Sequence, residues 1–222
     1  MLSQGFRACN FSLRLYNRSM EIQFIFSLAV LIMSVVIHEV SHGYAALFLG
    51  DKTAEYEGRL TLNPLKHIDM WGSVIFPAVS LLLGGFVFGW AKPVPYNPHN
   101  LRNQKWGEAL VAGAGPLSNI VLAIIFGLGI RFIAPLGSGP FAEILATIVL
   151  VNLTLAFFNL IPIPPLDGSK ILWSILPARF MHIRESLEQF GFFAVLLFAL
   201  VLWKFITPVI FWIFLLITGA SL

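Results

Sequence analysis

The 222-residue chain is short of charge and nearly without cysteine. Charged residues make up 11% of it, against roughly 25% in a soluble domain. That shortage excludes a solvated globular fold. With 58% hydrophobic residues and a mean hydropathy of +0.84, the composition describes a polytopic membrane protein instead. Cys9 is the one cysteine, which excludes an intrachain disulfide and a thiolate metal site. There is no internal repeat and no low-complexity tract, and no polar stretch is long enough for a separate regulatory domain. The small positive excess, 14 Lys and Arg against 11 Asp and Glu, suits loops facing the cytoplasm and anionic lipid. No nucleic-acid partner is expected.

What the chain does have is long apolar runs with a few ionisable residues inside them. Residues 1–20 form a polar leader with Arg7, Arg14 and Arg18. It does not resemble a signal peptide, because the apolar run after it is too long. Met20 is an alternative start, and 21–222 is read as a single intramembrane domain. The first span covers about 22–49, long enough to cross hydrocarbon at about 1.5 Å per residue. Residues 71–90 are apolar but interrupted by Pro77 and Gly84-Gly85, and they run into a proline-rich extended segment at 91–98. Further spans follow at 106–133 and 141–161, then a short amphipathic helix at 169–176. A last apolar region at 190–217 is broken near Lys204 and Pro208, as one span or two. The expected fold is all-α: a core of three transmembrane helices, a re-entrant or extended element, and a C-terminal helix or helices.

Within the first span lies His38-Glu39-Val40-Ser41-His42. On a helix, His38 and His42 share a face one turn apart and can bind one Zn²⁺, with Glu39 beside them to move the protons of an attacking water. Ionisable residues in a membrane-length helix are expensive, and function is the default reason for them. Two histidines leave a catalytic zinc site one protein ligand short. Asp167 is the best candidate for the third, because it follows a span whose end is broken by Pro162, Pro164 and Pro165. Such non-helical backbone at membrane depth needs protein or a watery cavity beside it. The competing reading makes Asp167 an ordinary N-cap of the next helix. Asn119 and Asn159 are polar at membrane depth, and either can donate to a scissile carbonyl or act as interhelical glue. For Asn152, glue is favoured. His67, His99 and His182 are expected to be solvent-exposed and without a role.

These residues resemble the site-2 proteases, intramembrane zinc metalloproteases, in the compact bacterial and archaeal branch without regulatory domains. The resemblance rests on His38-Glu39-Val40-Ser41-His42, on Gly115-Pro116-Leu117-Ser118-Asn119, and on Asn159-Leu160-Ile161-Pro162-Ile163-Pro164-Pro165-Leu166-Asp167-Gly168, in that order. Asn63-Pro64-Leu65-Lys66-His67-Ile68-Asp69 and Gly89-Trp90-Ala91-Lys92-Pro93-Val94 look like the same branch, with Met70 where proline would stand. The resemblance implies that His38, His42 and Asp167 bind one zinc per chain and that Glu39 is the general base. It also implies that Asn119 and Asn159 position substrate or stabilise an oxyanion. Transmembrane proteins in the lipid bilayer would be the substrates, cut in regulated intramembrane proteolysis at the cell membrane. The alternatives are a membrane metal-ion transporter and an inactive membrane-binding relative.

A zinc site must be assembled at one depth. His38 lies late in its span and Asp167 just after its own, so both spans must run in the same direction. An odd number of crossings must then separate them, which makes 71–98 re-entrant. Lys52, Arg59, Lys66, Lys92, Arg102, Lys105, Lys170, Arg179 and Arg184 then share the zinc side, which the positive-inside rule places towards the cytoplasm. The extended backbone at 92–96 is a further expectation, as an edge on which a substrate strand could pair.

Overall fold

The computed structural model describes residues 2–82, 89–133, 140–177, 180, 184, 187–191, 195, 201 and 203–219. Among these there is no strand. The helices are α1 (Leu2–Phe48), α2 (Thr53–Tyr56), α3 (Phe76–Leu82), α4 (Gly107–Ile133), α5 (Pro140–Asn159), α6 (Asp167–Ile175) and α7 (Trp203–Thr218). Three stretches are long and apolar enough to cross a membrane: Glu21–Phe48, Gly107–Phe132 and Phe141–Asn159. They form the expected three-helix core. Residues 21–42 contain neither glycine nor proline, so nothing interrupts the internal hydrogen bonding that hydrocarbon demands. Gly50, at φ 109°, turns the chain after α1.

α4 packs against α1, α5, α6 and α7. Partners along α1 rise in number on α5 and fall on α4. Gln23 approaches Glu143, and Ser34 meets Asn152. Going the other way, Asn119 meets Ser34 and Val111 meets His42. So α1 and α5 run parallel with α4 antiparallel beside them, as assembly of one site at one depth requires. An apolar core of Ala123, Ile130, Leu145, Val149, Leu153 and Ile210 ties α4, α5 and α7 together. A smaller one, Ala46, Leu101 and Val111, closes the end near the site.

The segment between α1 and α4 leaves and returns at the same end of α1. It goes out through a π-helical turn, Met70–Ile75, and α3. Those 13 residues from Met70 to Leu82 rise only about 20 Å as a helix, short of the roughly 30 Å of hydrocarbon. The return leg, from 89 onwards, lies back on the outgoing one. Trp90 N donates to Gly72 O at 3.0 Å, and Lys92 N to His67 O at 2.8 Å. Further on, Arg102 N donates to Leu49 O at 2.8 Å, beside the last turn of α1. Gly84-Gly85 lies outside the described residues, as do Arg179, His182 and a part of the last apolar region.

Asp51 is the knot of this end. It is 1% exposed, and its carboxylate accepts from Thr53 N and Oγ1, Asn97 N and Asn100 Nδ2 at 2.6–3.2 Å. Burial alone would push its pKa up, but these four bonds outweigh that and hold it below the usual value. The expected exposure of His67 does not hold. It is 2% exposed, with Nε2 on Thr61 O, because the return leg covers it. His99 is exposed, as expected.

Candidate functional site

α1 delivers His38 and His42 with their rings 4.6 Å apart and nearly perpendicular. Asp167 reaches them from the first turn of α6. Its Oδ2 lies 3.0 Å from His38 Nε2 and 3.2 Å from His42 Nε2. The three donor atoms lie within 4.8 Å of one another, and all three residues are buried. The N-cap reading fails on geometry, since Leu166 occupies that position and no side chain caps the helix.

The arrangement suits a metal better than an ion pair. For metal–ligand distances of about 2.0–2.2 Å, neighbouring ligands of a tetrahedral site sit about 3.3–3.6 Å apart, close to the 3.0 and 3.2 Å between Asp167 Oδ2 and the two Nε2 atoms. Both Nδ1 atoms have other partners. His42 Nδ1 lies 2.7 Å from Val111 O, and His38 Nδ1 lies 2.6 Å from Asn119 Oδ1. Acceptors on Nδ1 leave both Nε2 lone pairs free and aimed at one point, as second partners of metal-bound histidines do. Val111 O can take this bond because a backbone carbonyl carries a second lone pair beside the one its helix uses. The space itself depends on Gly115. A Cβ there would lie 2.5 Å from His42 Cε1 and Nε2 and 2.6 Å from His38 Nε2.

Glu39 lines a cavity of about 140 Å³ together with His42, Asp167 and Asn159, and the wall is completed by the 93–96 segment, Val111, Pro165 and Lys170. That is room for several waters. One oxygen of Glu39, Oε2, accepts from Val94 N at 2.9 Å. The segment that supplies this N–H is itself held by Arg59, whose guanidinium donates to Lys92 O at 2.9 Å and Pro93 O at 3.2 Å. These bonds leave no backbone N–H between 92 and 95 for pairing with a substrate strand. Lys92 and Val94 spend their N–H groups on His67 and Glu39, and Pro93 and Pro95 have none.

The two asparagines part company. Asn159 lines the cavity, with one amide hydrogen on Leu155 O at 3.0 Å and the second without a partner among the described residues. Asn119 is 0% exposed and does not line it. Its oxygen takes His38, and its nitrogen takes Asn152 Oδ1 at 2.8 Å and Ser34 O at 3.3 Å. Asn152 does join helices, as glue would.

Three contributors were not singled out from the sequence. Lys170 lies one turn after Asp167, with its ammonium 5.3 Å from the Tyr96 ring centroid. The three-residue spacing from Asp167 was a signal for Lys170. Tyr96 and the Val94 amide had none. Burial, opposed by the Lys170 charge, pushes the Tyr96 phenol up.

A buried His–His–carboxylate centre with a glutamate on the same small cavity, inside a helical membrane core, is the arrangement of an intramembrane metalloprotease. The chain belongs to peptidase family M50, whose model matches residues 26–137 and 135–202. YwhC of Bacillus subtilis (strain 168), named as a zinc metalloprotease, is 36% identical over 186 residues, covering 80% of this chain and 78% of its own. Rip2 of Mycolicibacterium smegmatis, named likewise, is 32% identical over 194 residues, or 86% of this chain and 73% of its own. No solved structure matches. The chain is thus a zinc metalloprotease of the membrane, and the transporter reading finds no support.

Proposed function

We propose that this protein hydrolyses peptide bonds in or near transmembrane segments of other membrane proteins, with His38, His42 and Asp167 holding one zinc and Glu39 acting as general base. The observation that carries this reading is the convergence of His38 Nε2, His42 Nε2 and Asp167 Oδ2, with Glu39 on the same cavity. When bound, zinc polarises a peptide carbonyl and makes water acidic enough to attack near neutral pH. Glu39 takes the proton of the attacking water and passes it to the leaving amine. The Val94 amide fixes the rotation of its carboxylate through Oε2 and leaves Oε1 for that transfer. Asn159 offers its second amide hydrogen to the substrate carbonyl. A transmembrane helix must unwind to be cut, and the buried cavity admits the water that the bilayer excludes.

The site opens towards the cytoplasm in this reading. Its support is the contact of 97–102 with the end of α1, which puts Lys92, Arg102 and Lys105 on the same side as Lys52, Arg59 and Lys66.

Glu39→Gln tests the catalytic assignment. General bases contribute about 10²- to 10⁴-fold, so the variant should keep its zinc and lose cleavage by about that factor. Comparing membrane proteomes of cells carrying the two forms then reveals substrates as proteins that accumulate uncut. Equal cleavage by Glu39→Gln and wild type would remove Glu39 from the mechanism.

A further inference from the structure

His38 and His42 secure the same protonation pattern by different means. A neutral imidazole has one N–H, and a metal takes the nitrogen without it. Opposite His42 Nδ1 is the Val111 carbonyl, which can only accept, so the backbone fixes the proton. Opposite His38 Nδ1 is the side-chain amide of Asn119, which has a donating and an accepting end. Turned the wrong way, its Nδ2 would claim the Nδ1 lone pair, move the proton to Nε2 and leave nothing for a metal.

What decides the direction of that amide lies further off. Asn119 Nδ2 faces Ser34 O at 3.3 Å and Asn152 Oδ1 at 2.8 Å. Asn152 is oriented in turn by Ile148 O, 2.9 Å from its Nδ2, while Ser34 Oγ lies 3.0 Å from the same nitrogen. The two backbone carbonyls accept only, so donation runs one way through the whole series. It passes from His38 Nδ1–H to Asn119 Oδ1, from Asn119 Nδ2 to Asn152 Oδ1, and from Asn152 Nδ2 to Ile148 O. Both asparagines are 0% exposed. Turning either amide over would set oxygen against oxygen at a fully buried place, where an unpaired polar group is costly.

We propose that Asn119 and Asn152 are positioning residues of the metal centre: a one-way relay across α1, α4 and α5 that keeps His38 Nε2 unprotonated and aimed at Asp167. This rests on the reading of His38, His42 and Asp167 as the zinc ligands. It gives Asn152 a part beyond holding helices together, and it takes Asn119 away from the substrate and gives it to the ligand.

Zinc affinity tests the relay, read by chelator competition on the full chain in detergent, beside zinc stoichiometry, thermal midpoint and cleavage. Outer partners of metal-bound histidines are worth about 10- to 100-fold in affinity, so Asn119→Leu should bind zinc that much more weakly. Asn119→Asp keeps an accepting oxygen on His38 and should retain more affinity than Asn119→Leu, but less than wild type, because its second oxygen faces Ser34 O and Asn152 Oδ1. Asn152→Leu leaves Ser34 O to orient Asn119 and should show a smaller loss in the same direction. Because it touches no ligand, it also serves if Asn119→Leu does not fold. Wild-type affinity in Asn152→Leu would strike Asn152 from the relay. Wild-type affinity in a folded Asn119→Leu would overturn the proposal, and if that variant also failed to cleave, Asn119 would belong to the substrate. A wild-type protein that takes up no zinc at all would instead bring down the reading of the site.

Discussion

Two glycines two residues apart on α4 should respond to the same substitution in opposite ways. An alanine Cβ at position 115 would lie 2.5 Å from His42 Nε2 and 2.6 Å from His38 Nε2, whereas at 113 the nearest atom is Ile171 Cδ1 at 3.9 Å. Real Cβ contacts rarely fall below about 3.4 Å, so Gly115→Ala must displace a ring by roughly 0.8–0.9 Å. Metal–ligand distances tolerate only about ±0.2 Å. The substitution therefore costs the site a ligand. Zinc binding worth about 10–16 kcal/mol over four ligands makes each worth roughly 2.5–4 kcal/mol, or about 100- to 1,000-fold in affinity. Gly113→Ala meets no obstacle and gains about 0.5–1 kcal/mol of helix propensity. Chelator competition measures the affinities, and the thermal midpoint of the metal-free protein shows that both variants fold. Gly115→Ala binding zinc as tightly as Gly113→Ala would refute the placement of the metal between the two Nε2 atoms.

Asp51 sets a pH dependence. Its folded pKa lies below the ordinary value of 3.8, so its contribution to stability is present above that value and is lost as pH falls through the folded pKa. Wild type should therefore lose thermal midpoint more steeply than Asp51→Asn as the pH drops below about 5. Single cysteines at Asn97 and Lys105, in a Cys9→Ser background, should react with membrane-impermeant reagents only from the cytoplasmic side. Labelling from outside the cell alone would sink the re-entrant arrangement. Arg59 is 5% exposed and its guanidinium donates to Lys92 O and Pro93 O, so Arg59→Gln should lower kcat through a loosened Glu39 while Arg59→Lys recovers part of the loss. Unchanged kcat in Arg59→Gln would detach that segment from catalysis.

The histidine pair, the three spans and the parallel course of α1 and α5 were legible because each leaves a local mark: spacing, length, or depth along a span. Asp167 was legible as a carboxylate just beyond a broken helix end. The orientation of Asn119 was not, because an amide reads equally well as donor or acceptor until its partners are known. Those partners, Ser34 O and Asn152, are 85 and 33 residues away. The hold on Glu39 was hidden for a different reason. A backbone N–H is present at every residue but proline, so nothing in the sequence distinguishes that of Val94. Gly168, the last residue of the third motif, does not have a positive φ. A Cβ there would strike the Leu160 and Ile161 carbonyls, so the requirement is closeness.

The order of the ligands along the chain also bears on how the cell makes this protein. His38, Glu39 and His42 enter the membrane with the first helix, but Asp167 is made about 125 residues later. At roughly 5–20 residues per second that is an interval of about 6–25 seconds. During it the nascent chain holds two of three ligands, and Asn119 and Asn152 reach His38 and Ser34 only as α4 and α5 arrive. If cutting needs all three proposed ligands, the protease would stay inert while it is still attached to the ribosome and crowded against other newly inserted segments. Its last ligand arrives only after all three spans have been made.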